Sequence, residues 1–160
     1  MNKYVLSETN QHVMKLIQMG ADVTVVSSQM VYVSFDITED VTVSYVYNIN
    51  KKNKYFLERI RPYPLPVKTY DSAEDICNII KIDIEQFKIA AKSHNVQAFI
   101  KTNQAFHDII MKFEDLFLYY NIKPEVFKQL KMDIEDIEKT IDEATGTATR
   151  VYFGKEPDNL

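Results

Sequence analysis

The chain predicts an α+β fold: an N-terminal helix, a three- to four-stranded antiparallel meander, then three to four helices packed on one face of the sheet. Three observations lead there. Apolar residues alternate by two between about Asp22 and Arg61, and they recur at intervals of three and four between Asp71 and Ala144. The connections within the first stretch are too short for the crossover that parallel strands require.

The first helix is read from Ser7 to Met19, where Val13, Met14, Leu16 and Ile17 share a face, Ser7 or Thr9 is the candidate N-cap and Gly20 the stop. Alternation then takes over. Val23 and Val25 open it, Val31, Val33, Phe35 and Ile37 continue it, and Val41, Val43, Tyr45, Tyr47 and Ile49 give it most clearly. Ser27-Ser28-Gln29 and Thr38-Glu39-Asp40 read as turns, and a last strand, Tyr55 to Arg61, returns after the polar loop Asn50 to Lys54. The opposite face carries Ser34, Asp36, Thr42, Ser44 and Asn48, so the sheet is expected to be wet on one side and covered on the other.

Pro62 to Thr69 crosses to the helical part. Asp71-Ser72-Ala73-Glu74-Asp75 is a capping arrangement ahead of an inward stripe of Ile76, Ile79 and Ile80. Lys81 to Asp83 reads as a break, with Asp83 capping a further segment through Phe87, Ala90 and Ala91. Val96 to Tyr120 is the strongest helix, with Phe99, Phe106, Ile109, Ile110, Phe113, Leu116, Phe117 and Tyr120 along one side. Pro124 suits the first turn of a last helix whose seam is Phe127, Leu130, Ile134, Ile137, Ile141 and Ala144. We read residues 1–146 as one domain and 147–160 as a tail. Within it Thr147 to Phe153 is β-prone enough to add an edge strand before the end frays.

Composition narrows the function classes. The three glycines, Gly20, Gly146 and Gly154, form no cluster, which excludes a Walker loop and a dinucleotide fingerprint. The single cysteine, Cys77, has no disulfide partner within the chain, and there is neither a signal-peptide succession nor an apolar run long enough to span a membrane. The expected location is therefore cytoplasmic, with no membrane association. A net charge of −4 opposes binding to bulk nucleic acid, although it is unevenly spread. Residues 1–70 hold eight Lys or Arg against six acids (+2), and residues 71–160 hold eleven against seventeen (−6).

Three groups of residues are candidates for function. The hairpin and its exit place Lys51, Lys52, Lys54, Tyr55, Arg59, Arg61 and Tyr63 close together, a basic and aromatic mixture that can hold a peptide, a phosphate or a base. The same features also make an ordinary hairpin with a polar tip and lysines that discourage edge pairing. A pocket between sheet and helices would draw its polar groups from Tyr45, Tyr47, Arg59 and His107. His107 shares a helix face with Glu114, but neither a Glu-x-x-His nor a His-x-x-x-His pair occurs, so no metal and no cofactor is expected. Cys77, beside Ile76 and near Asp71, Glu74 and Asp75, reads as a small core hydrophobe, because those acids disfavour a thiolate. The third group is the seam Phe127, Leu130, Ile134, Ile137 and Ile141, which is either core or a dimer interface.

The reading from these residues is a non-catalytic intracellular protein acting through protein contacts, as a homodimer or with another protein. The alternative is a small-molecule-binding protein or small enzyme with a pocket between sheet and helices. RNA binding through the basic hairpin ranks third.

Overall fold

A computed structural model describes residues 3–26, 28–49, 54–65 and 68–160. The order is α1 (Lys3–Gln18), β1 (Gln29–Thr38), β2 (Val41–Ile49), β3 (Tyr55–Arg61), β4 (Lys68–Tyr70), α2 (Ala73–Ala90), α3 (Val96–Tyr119) and α4 (Pro124–Thr147). The strands form one antiparallel sheet in the order β1-β2-β3-β4. The fold is α+β. Residues 50–53 of the polar hairpin loop lie outside the described residues.

Helix α1 begins earlier than its capping residues suggest, so Ser7 and Thr9 lie within it. It ends as its glycine predicts. Gly20 takes a positive φ of 93°, its N–H bonds to Ile17 O, and the N–H of Ala21 reaches back to Leu16 O, the pair of bonds that closes a Schellman turn. Val23 and Val25 do not become a strand. Two alternating valines are too few to pair against β1, and Val25 stays exposed. The fourth strand is instead β4, inside the segment read as a plain crossing, and it covers the outer edge of β3.

The pleat sorts the two faces. Ser34 stands opposite Ser44 and Asp36 opposite Thr42 on the outer face, where Ser34 Oγ and Ser44 Oγ lie 3.0 Å apart and Thr42 Oγ1 donates to Asp36 Oδ1 at 2.9 Å. Val41, Val43, Tyr45 and Leu57 are buried on the inner face. Against them lies α2, capped by Ser72, whose Oγ accepts from the Asp75 N–H at 3.1 Å. It buries Ile76, Ile80, Ile84 and Phe87 at intervals of four, four and three. The break expected at Lys81 to Asp83 is absent, because Asp83 has its partners across the interface and α2 runs straight through.

Covering of the sheet is shared unequally among the helices. Only the start of α3 joins α2: Ile100 is buried, the Phe99 ring meets Tyr63 edge-on at 5.6 Å, and Gln104 Nε2 donates to Pro62 O at 3.2 Å. Beyond that α3 and α4 run as an arm. Near its turn the ring of Phe127 packs edge-on against Phe113 and Phe117 at 6.1 and 6.0 Å, and Leu116, Ile122 and Leu130 are half-buried. No residue of α4 is fully buried.

After α4 the chain returns to the domain. Residues 148–160 add no strand to the sheet, so the extra edge strand expected from Thr147 to Phe153 does not form. They fold on themselves: Arg150 donates to Tyr152 O, Lys155 O and Glu156 Oε2, and Tyr152 Oη reaches Glu85 at 3.4 Å. Gly154 leaves room for the Tyr152 ring, since a Cβ there would stand 2.5 Å from Tyr152 Oη and the ring would have to swing away.

Candidate functional site

The inner face of β3 carries Tyr55, Leu57 and Arg59, and the register sets Tyr45 of β2 directly opposite Arg59. Above them α2 presents Asp83 one residue before the buried Ile84. The three side chains meet. Arg59 Nη1 donates to both oxygens of Asp83 at 2.8 Å, and Tyr45 Oη donates to Asp83 Oδ2 at 2.7 Å. The guanidinium carbon sits 4.7 Å from the Tyr63 ring centre and 4.9 Å from that of Phe87, so two aromatic faces flank it. Arg59 is only 7% exposed, and its Nε has no hydrogen-bond partner.

This cluster suits fastening better than proton transfer. Burial first, and then the bond to Asp83, push the Tyr45 hydroxyl far above the ordinary phenol range, so it stays a donor. Burial likewise raises Tyr63. With its carboxylate engaged by a guanidinium and a phenol, Asp83 ties α2 to β2 and β3.

Two cavities flank the latch. One, of about 420 Å³, is lined by Leu57, Ile79 and Ile82, by Lys68 and Tyr70 of β4, and by residues 155–159 of the tail. The other, of about 540 Å³, lies between β1, β2 and α2 against Val33, Phe35, Tyr47, Ile76 and Ile80, with Lys81 and Lys88 beside it. Both fall in the size range of small-molecule sites, ~300–1,000 Å³.

The residues singled out in the sequence are dispersed. Of the basic hairpin, Lys51 and Lys52 lie outside the described residues, Lys54 pairs with Asp71, and Tyr55 packs half-buried against the core. Arg59 and Tyr63 are buried, which removes them from any surface, and Arg61 is exposed at the far end of β3. Of the expected pocket, Tyr45 and Arg59 do meet, but Tyr47 lines the other cavity and His107 is exposed on α3 and lines neither. Cys77 corrects the core reading: it is exposed, one position off the buried row that begins at Ile76. Asp83 was legible only as a carboxylate inside an apolar stripe, a signal equally well read as a cap.

The seam residues keep their place on one helix and stay open. Phe127 and Ile137 are 39% exposed, Ile141 44% and Ile134 55%, with Leu130 half-buried. Among the described residues no three His, Cys, Asp or Glu gather as a metal site, and no helix is long and apolar enough to cross a membrane. Comparison with protein-family models, with curated proteins and with solved structures found no match for this chain.

Proposed function

We propose that this is a non-catalytic intracellular protein that works through protein contacts, and that its first partner is a second copy of itself joined along the α3–α4 arm. One observation carries the reading: the apolar side chains of the arm remain open to water over its length. On α3 Phe106, Ile109 and Ile110 are exposed, and on α4 Ile134, Ile137 and Ile141. Exposed apolar side chains recurring in this way along both helices suit a contact site.

The size of the arm agrees with a stable interface. Each helix has 24 residues. At ~1.5 Å per residue α4 is about 36 Å long and the part of α3 beyond Gln104 about 22 Å, and a stripe ~10 Å wide along both covers roughly 600 Å² per chain, at the lower end of a standard complex. α4 carries seven acids against three lysines, of which Lys131 and Lys139 pair with Glu135 and Glu143 one turn apart, so a contact between two copies must run along the apolar stripe with the remaining acids at its rim. Two such arms can pack as a four-helix arrangement by a two-fold axis.

Native mass spectrometry and light scattering at micromolar concentration test this. A dimer is expected, and Ile134→Asp with Ile137→Asp should turn it into a folded monomer with an unchanged far-UV spectrum. A wild-type monomer throughout would overturn the proposal, and global unfolding of the double variant would assign the seam to the core instead.

A further inference from the structure

The 420 Å³ cavity beside the latch has the carboxylate of Asp158 in its own lining. Strand β4 is three residues long, and its pairing sets Lys68 opposite Leu57 and Tyr70 opposite Tyr55. Residues two apart in a strand share a face, so a cation and a phenol on this edge both border the space under α2. The tail closes the other side. Lys155 Nζ donates to Asp158 Oδ2 at 2.5 Å, and this bond, helped by the charge of Lys68, holds the Asp158 carboxyl below its usual range. Tyr70 stands beside the pair, half-buried, with its hydroxyl raised by burial and acted on by both charges.

Deeper in, the walls are Leu57, Ile79 and Ile82. Arg59 also borders the space, but Asp83 engages it through both carboxylate oxygens, so the cations able to receive an incoming anion are Lys68 and Lys155. The tail holds to the rest of the protein by few polar contacts. Among the described residues its side-chain bonds are internal except for Tyr152 to Glu85 at 3.4 Å.

We infer that this cavity takes a small amphipathic carboxylate, its apolar body against Leu57, Ile79 and Ile82 and its carboxylate in the place of Asp158 between Lys68 and Lys155. Asp158 is then a resident competitor, and the ligand displaces its side chain. The inference is independent of the arm, so monomer and dimer should bind alike.

Octanoate titrated into the full chain by calorimetry, with the tyrosine ring resonances followed by NMR, tests it. One saturable site that shifts the Tyr70 ring is expected. Lys68→Ala should weaken binding about tenfold, as loss of a charge-assisted bond does, and Asp158→Asn should tighten it several-fold. Both positions are exposed, so the fold should survive either change. Absence of a saturable site would overturn the inference. So would binding indifferent to both substitutions, which would place octanoate on the open stripe of the arm, and Ile137→Asp would then abolish it.

Discussion

Helix α2, with 18 residues, buries Ile76, Ile80, Ile84 and Phe87 against the sheet, while α4, with 24, buries none of its side chains fully. Both carry apolar residues at intervals of three and four. The difference lies in what stands opposite: α2 faces Val43, Tyr45 and Leu57, whereas the ring contacts of α4 among the described residues are those of Phe127 with Phe113 and Phe117 near the turn of its own arm. A stripe of that kind states that a face is to be covered and leaves open by what. Fastening separates the two regions as well, since α2 is pinned through Asp83 and α4 carries only exposed pairs along itself.

The largest expected effect strikes that pin. Asp83→Ala leaves the Arg59 guanidinium in the core without its counter-charge, and loss of one partner from a buried pair costs about 3–5 kcal/mol. Urea unfolding would measure it. Replacing the pair together, Arg59→Met with Asp83→Leu, should restore most of the loss, because the cost comes from the orphaned charge. A double variant as unstable as the single one would mean that the pin also sets the geometry of α2.

Next come matched truncations in the two helices. Ile76→Ala opens a hole in a site that is 2% exposed and should cost about 2–5 kcal/mol. Ile137→Ala, at a site 39% exposed, should cost under about 1 kcal/mol in the monomer. At higher protein concentration the second loss should grow, as a contact made by assembly must. Equal losses independent of concentration would break the contrast and place the arm within one cooperative core.

The same contrast explains what the sequence disclosed. Alternation over Val41 to Ile49 marked β2, and Ser34, Asp36 and Thr42 came out on the open outer face because a period of two fixes side-chain direction, whereas Ser44 on the same row is buried, in hydrogen-bond contact with Tyr32 and Ser34. Gly20, Ser72 and Pro124 marked helix ends through backbone rules that need no distant partner. Long-range partners were not legible. Tyr63 read as a surface residue, and Arg59 as surface or pocket, because a charge and a phenol usually are; Asp83, Phe87 and Phe99, more than twenty residues on, make them interior. Cys77 was misplaced by a single helical position, about 100° of rotation, which periodicity locates only after the partner face is known.

The smallest effect belongs to the tail, which fastens to the domain more weakly than α2. Its bond to Arg150 lowers the Glu156 carboxyl, and its bond to Lys155 lowers that of Asp158. A carboxylate whose folded value is depressed contributes its stability above the unfolded value, near pH ~4, and loses it as pH falls through the depressed one. Acid should therefore loosen residues 150–158 while the sheet still holds. Amide resonances of Tyr152 and Gly154, with the Tyr152 ring, should move toward unfolded positions as pH drops below about 4, ahead of those of β2 and β3. Asp158→Asn should remove part of that early change, since an amide does not titrate. If tail and sheet resonances moved together in both proteins, the tail would be part of the same cooperative unit as α2, and its bonds would have to be counted with the core.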